Sequence, residues 1–379
     1  MNKKLTKGRM MDVAKGPVDL PSGVNIRDVQ NAALAGLGRP PLAEERAVEP
    51  VDIALARIAP DPIQPRRALP DTYRAQWCDG HPLEDVLNTW GREAAEYAVA
   101  RGCDTPWYAW LEAPDDAALL DPSTPMHPML RQWIELLRLA GSIYRDGLAV
   151  PVSVYPEGDH YRLLMGERRL LAFWLLTLFG HEAFATIPAV VTDQYDPFRQ
   201  AAENGARQNL NAIGIARQLA VLLMVLNHVD IGGNGQADQA WYAQALDLQV
   251  PSGQGEAVAA VLGLSHPRQV SHYRRLLALP NVVWNWADDF DWPEGKLRGW
   301  LRKAKHDKDL IRMAQDEATR ALGNAPARPK RTPAQRTARV VDRVERALYT
   351  LSDDKTLQAL NDAQRRRLRE LAKDLLKRL

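Results

Sequence analysis

The tetrapeptide Gly166-Glu167-Arg168-Arg169 stands between two segments of different period, and it constrains the fold more than any other stretch. Before it, Asp159 to Met165 alternates polar and apolar residues, the pattern of a half-buried strand. After it, Leu170 to Phe179 is an apolar run of helix length, closed by Gly180 at the position of a C′ glycine. The glycine at 166 lets backbone approach a ligand closely. A helix that starts there presents free N–H groups and a partial positive charge. Two arginines in that first turn run against the dipole, which favours acids. They are explained by an anion, since guanidinium binds phosphate in a bidentate way. The alternative is a core helix with an exposed start and solvated charges.

With 379 residues the chain has room for two or three domains. Its 46% hydrophobic and 25% charged residues are those of an ordinary globular protein. A net charge of +2 does not by itself announce a nucleic-acid binder, but Arg and Lys crowd into the last fifty residues. Cys78 and Cys103 form neither a metal-ligand pattern nor a disulfide framework, which points to a reducing cytoplasm. The longest apolar run, 170–179, is too short to cross a bilayer, so no membrane association is expected. The basic N-terminus has no apolar segment behind it, which argues against a secretory signal. No G-x-x-x-x-G-K-[ST] occurs, which excludes a Walker-type nucleotide site.

Residues 1–50 mix Gly, Pro and charge without a sustained period and predict a flexible tail. Residues 51–230 predict a small mixed α/β domain. Inside it, 68–140 carries Trp77, Trp90, Trp107, Trp110 and Trp133 among many prolines. That insert reads as helices joined by proline-rich loops. Its tryptophans form a small packed core or, alternatively, a partner surface. Residues 231–322 predict helices. Glu256–Leu262, the turn Gly263-Leu264-Ser265 and His266–Leu279 have helix-turn-helix spacing, a pattern shared with any pair of packed helices. Residues 323–338, with Arg328, Lys330 and Arg331, read as a basic linker. In 339–379 the stripes Val340/Val344/Leu348 and Leu368/Leu371/Leu375 need burial, either against a second copy or against the chain's own body.

Five further segments fall in a telling order. These are Gln64-Pro65-Arg66-Arg67; Ser142-Ile143 through Gly147-Leu148; Gly166-Glu167-Arg168-Arg169; Glu203-Asn204 through Arg207, Leu210 and Ile213; and Val270-Ser271 through Leu276-Leu277-Ala278-Leu279-Pro280. Together they resemble the ParB family of chromosome and plasmid partition proteins, over roughly residues 51–279. In the family the first two motifs are separated by one short helix, so the insert is a departure. So are Met165, Ala206 and Gly214 at positions where the family usually has other residues.

The resemblance implies an α+β chain: a ParB/sulfiredoxin-like mixed domain, then an all-α helix-turn-helix domain and C-terminal helices. It implies CTP with Mg²⁺ at a site of Gln64, Arg66, Arg67, Gly147, Leu148, Gly166, Arg168, Arg169, Asn204 and Arg207. The metal would take oxygens of Glu203 and Asn204, and Glu167 would orient or deprotonate water in slow hydrolysis. It also implies double-stranded DNA with a specific site as partner. Ser265, His266, Arg268, Gln269, Ser271, His272 and Arg275 would contact it. A homodimer closing as a clamp, a nucleoid location and a ParA-type ATPase partner complete the expectation. Ala33 to Arg39 carries a Leu-Gly-Arg element of the kind that touches that ATPase, or is simply part of a tail. Two other readings remain: a plasmid or phage regulator of the same fold without clamp function, and a nuclease- or kinase-type enzyme on this fold.

Overall fold

The computed structural model describes residues 26–41, 49–100, 126–193, 195–207, 210–232 and 237–322, together with Lys373. The expected basic linker and C-terminal dimer helices lie outside the described residues, as do Cys103, Trp107 and Trp110.

Two hydrophobic cores organise the described residues, one under a sheet and one among helices. The sheet has five strands: β1 (Val51–Ala54), β2 (Ile58–Ala59), β3 (Val152–Glu157), β4 (His160–Met165) and β5 (Thr186–Val191). Their order is β1-β5-β3-β4-β2. β3 and β4 form an antiparallel hairpin with Ser153 opposite Met165. β5 runs parallel to β3 and antiparallel to β1, and β2 pairs parallel with β4. The α+β class expected from the sequence is the one observed.

The insert contributes α2 (Asp71–Cys78), α3 (Leu83–Val99) and, continuing past it, α4 (Pro128–Asp146). Its described tryptophans do not make a private core. Trp77, Trp90 and Trp133 are buried in the same cluster as the inner faces of β3, β4 and β5. Trp90 and Trp133 meet edge to face, with centroids 4.9 Å apart. An added segment can be stable without its own domain when it enlarges an existing core. α5 (Glu167–Leu178) packs across this core through Leu170, Leu171, Leu175 and Leu176, and ends before Gly180 at φ +87°.

The helical half contains α6 (Pro197–Arg207), α7 (Ala212–Leu226), α8 (Gln239–Ala243), α9 (Gly255–Val261), α10 (Arg268–Leu276), α11 (Asn281–Asp289), α12 (Glu294–Lys303) and α13 (Asp307–Leu322). α6 and α7 share its core, so the change from one core to the other falls near residue 195. The sequence break at 231–235 does not coincide with the change of core, since Met224 before it and Ala237 after it share one cluster.

The first fifty residues are not all tail. Ile26–Gly36 is a helix, α1, and Ala33, Leu34 and Leu37 are buried among the helices. Gln30, Ala33, Leu34 and Leu37 stand at i, i+3, i+4 and i+7, one face of a helix. Arg39 lies over the Phe198 ring at 4.4 Å. The Leu37-Gly38-Arg39 element is therefore engaged with its own chain.

Candidate nucleotide pocket and DNA-reading helix

The strand–turn–helix read from the sequence is where a cavity opens. Gly166 has φ +103° and ψ 25°, a left-handed conformation that an L side chain rarely adopts. A Cβ there would also lie 2.8 Å from Val152 Cγ1. Glycine thus lets β4 turn sharply into α5 and leaves the first amides of α5 without intrahelical partners. The residues of that first turn line a cavity of about 510 Å³, the size of a small-ligand site.

The cavity gathers most of the expected nucleotide residues. Gln64, Arg66, Gly147, Leu148, Gly166, Arg168, Arg169 and Asn204 all line it, from four separate segments. Ala68, Leu139, Ser142, Ile143, Ala149, Val150, Met165 and Glu167 complete the wall. Arg168 is partly exposed and pairs with Glu135 Oε2 at 3.7 Å. Arg169 is committed to backbone, donating to the carbonyls of Val150 at 2.6 Å and Pro151 at 2.5 Å. It fixes the 147–151 segment against the helix start.

Four expectations change. Arg67 points away from the cavity and into the helical half. It donates to Asp71 Oδ1 at 2.5 Å and to the Ala237 carbonyl at 2.5 Å. The chain bends here, and only Arg66 of the two lines the cavity. Gln64 lines the cavity, but its amide is tied up. It donates to the Leu164 carbonyl at 3.1 Å and accepts from Gln200 at 3.1 Å. Glu203 does not line the cavity and pairs with Arg199 at 3.4 Å. Glu167 lines the cavity, as expected, but it is buried and its carboxylate is engaged by the 68–69 backbone and Arg74. Oε1 accepts from the Ala68 N–H at 2.9 Å, and Oε2 meets Arg74 Nε at 3.4 Å. A water-activating base needs a free lone pair near the reacting atom. The Arg207 side chain lies outside the described residues.

No cluster of three or more His, Cys, Asp or Glu is placed to hold a metal among the described residues. Asn204 lines the cavity and donates its amide N–H to Gln218 Oε1 at 3.1 Å, so its amide oxygen is not used in that bond. One such neutral oxygen suits Mg²⁺, which takes few protein oxygens and completes its shell with phosphate and water.

Sequence reasoning missed the buried polar residues behind the pocket. Asp61 is almost fully buried; it accepts from the Ile63 N–H at 3.0 Å. Burial pushes its carboxyl up to about 6, although Arg74 pulls the other way. Arg217 is fully buried between Asp288 at 2.6 Å and Asp71 at 3.7 Å. Burial raises Asp71, but Arg67 and Arg217 outweigh it and hold its carboxyl below the usual range.

α9, the turn at Gly263 and α10 form the helix-turn-helix geometry. Arg268, Ser271, His272 and Arg275 stand on one face of α10, and all but His272 are exposed. His272 is half-buried, with Nδ1 3.9 Å from Glu294. The other three expected DNA residues build the start of the helix. Gln269 Oε1 accepts from Ser265 Oγ at 3.0 Å and from the His266 N–H at 3.1 Å. His266 Nδ1 accepts from the Arg268 N–H at 3.0 Å. Gln269 therefore cannot offer its amide to adenine in a bidentate way without giving up this cap. Arg274 is anchored on the Leu248 carbonyl at 2.6 Å. α6 crosses directly over the turn: a Cβ on Gly205 would overlap the Val261 carbonyl and lie 2.9 Å from Gly263 N.

Among known proteins, the chain is 40% identical over 199 residues to a probable chromosome-partitioning protein ParB of Coxiella burnetii, covering 48% of this chain and 64% of that protein. It is 36% identical over 135 residues to the chromosome-partitioning protein Spo0J of Thermus thermophilus, covering 34% of this chain and 47% of that one. The chain thus spans between about half and two thirds of the length of these relatives. A C-terminally truncated ParB from Caulobacter crescentus, solved with the centromeric parS site, aligns with 73% of this chain and 98% of its own at 16% identity, with a TM-score of 0.31. No family model matches the chain.

Proposed function

The chain belongs to the ParB family of chromosome-partitioning proteins, and from that premise we propose that it is a partition protein that binds DNA through α10 and a nucleoside triphosphate, CTP, at the start of α5. One observation carries the nucleotide reading. A left-handed glycine opens a helix N-terminus onto a cavity that also holds Arg66, Arg168 and the backbone of Gly147–Val150. Helix amides and two guanidinium groups suit a polyphosphate. The carbonyl of Val150, which lines the cavity and is held by Arg169, would be an acceptor for the exocyclic amine of cytosine. Mg²⁺ would be held by Asn204 and would supply charge neutralisation of the phosphates.

DNA engagement rests on the exposed face of α10. Arg268 near its start reads base edges, and Ser271 and Arg275 contact the backbone or bases further along. A dimer through 339–379 would place two nucleotide pockets together, and CTP would favour their engagement as a clamp around DNA. A ParA-type ATPase is the expected partner, but Leu37 is buried and Arg39 lies half-buried over Phe198, so they are not the proposed contact. The proposed location is the nucleoid; no helix among the described residues is long and apolar enough to cross a membrane.

Calorimetric titration of the chain with each of the four NTPs, with and without Mg²⁺, tests the reading. CTP is expected to bind best and to need the metal, and Arg168→Ala to weaken it by about 1.5–3 kcal/mol. Absence of binding by all four nucleotides, or equal CTP affinity in Arg168→Ala, overturns the assignment of the pocket.

A further inference from the structure

We propose that Arg74, contributed by the insert, is a positioning residue of the nucleotide site, holding the Arg66 loop against the start of α5 through Glu167. The inference rests on the nucleotide reading of the cavity. Arg74 is fully buried and does not line the cavity. Its Nη2 donates to the Asp61 carbonyl. Its Nε and Nη2 both lie 3.4 Å from Glu167 Oε2. Glu167 Oε1 in turn holds the N–H groups of Ala68 at 2.9 Å and Leu69 at 3.5 Å. The loop 61–69 is thus gripped at both ends by one ion pair, and Gln64 and Arg66 lie between the grips.

The pair also settles a charge conflict. A carboxylate in the first turn of α5 is favoured by the dipole but repels a polyphosphate at the same place. Arg74 cancels that charge from behind and leaves Arg66 and Arg168 to set the sign of the pocket. Burial opposes the Arg74 charge, and Glu167 outweighs it and keeps the guanidinium protonated. Buried ion pairs are often no more stabilising than an apolar substitute. What an apolar pair cannot supply here is one planar donor reaching a carbonyl and a carboxylate together. The insert therefore belongs to the nucleotide site.

The test uses the full chain and its Arg74→Lys, Arg74→Met and Glu167→Gln variants. CTP affinity with Mg²⁺, affinity for a random duplex and the melting temperature are measured on the same preparations. Arg74→Lys keeps the buried charge but cannot span both acceptors. It is expected to bind CTP about tenfold more weakly, with duplex affinity within about twofold of the parent. Glu167→Gln sets an amide N–H against the guanidinium and is expected to weaken CTP as well. A purely structural role would lower the melting temperature and leave CTP affinity of the folded protein unchanged. Should Arg74→Met fail to fold, Arg74→Lys decides. A parent that binds CTP while Arg74→Lys binds it equally well overturns this inference alone. A parent that binds no nucleotide overturns the reading of the pocket, and this inference with it.

Discussion

Arg217 and Asp288 form the most demanding ion pair in the helical half, and the two ends of it should fail unequally. The Arg217 side chain is 0% exposed and that of Asp288 17%, with Nη1 to Oδ2 at 2.6 Å. Removing one partner of a buried pair costs about 3–5 kcal/mol, mostly because a charge is left uncompensated. Asp288→Ala leaves Arg217 with Asp71 at 3.7 Å and the Pro65 carbonyl at 3.5 Å, while its Nε and Nη2 already lack hydrogen-bond partners. The residual Asp71 contact and the exposure of Asp288 place the cost near the lower end, about 3 kcal/mol.

Arg217→Met behaves differently. Asp71 keeps Arg67 at 2.5 Å, and Asp288 keeps the Asn211 amide at 2.8 Å. Both acids stay partnered, and methionine fills the space beside Trp284, so the cost should be about 1 kcal/mol or less. At roughly 2 °C per kcal/mol for a chain of this size, Asp288→Ala should melt about 6 °C lower and Arg217→Met within about 2 °C of the parent. Circular dichroism melts of both variants and of the double variant measure this. The double variant should sit near Arg217→Met, since the stranded charge is gone. Equal losses in the two single variants, or a double variant as unstable as their sum, would refute the stranded-charge argument.

Other consequences are as direct. Asp61 titrates at about 6 in the fold, because of burial, and near 3.9 when unfolded. Between those values the native state holds the extra proton, so its contribution to stability is greatest below about pH 4 and falls as pH rises through 6. Urea titrations across that window should show the slope in the parent and lose it in Asp61→Asn. Gly205→Ala forces a Cβ onto backbone of the Val261–Gly263 turn, which no side-chain rotation relieves. A loss of about 1–3 kcal/mol in a melt is expected, and an unchanged melt would mean that α6 does not cross the turn this closely. Arg268→Ala should relax sequence choice at a cost of about 1–3 kcal/mol on a specific duplex. Gln269→Ala should destabilise α10 by about 1 kcal/mol and leave sequence preference in place. Binding to specific and scrambled duplexes separates the two, and the reverse pattern would reassign base reading to Gln269.

The turn from β4 into α5 was legible because two local signals agree there: a change of period and a glycine that backbone geometry requires. The cavity wall followed for the same reason, since its motifs are short and each sits at an element boundary. The fates of the buried charges were not legible. Arg66 and Arg67 are chemically identical neighbours, and only the direction of the loop sends one to the cavity and the other to Asp71 and Ala237. Glu167 looks catalytic in a motif because the sequence does not reveal that Arg74 stands behind it. α1 was overlooked for a different reason. Its apolar face is regular, but it is short and lies within a stretch of mixed composition, where the eye reads tail.

The insert shows why such a segment can become indispensable. Opening a long loop costs little closure entropy, because that cost grows only with the logarithm of length. The added helices offset it by burying Trp77, Trp90 and Trp133 on the existing sheet core. Once α2 was docked, two of its residues one turn apart acquired opposite partners. Arg74 faces Glu167 and the Asp61 carbonyl, on the nucleotide side. Asp71 faces Arg67 and Arg217, on the helical side. Excising the insert would therefore take the acid partner from Arg67 and the arginine from Glu167, and leave Arg217 to Asp288 alone, and each stranded buried charge carries its own penalty. A shorter relative can do without α2 only if those three positions are filled differently. The insert and the charges around it thus form one unit, and neither can be changed without the other.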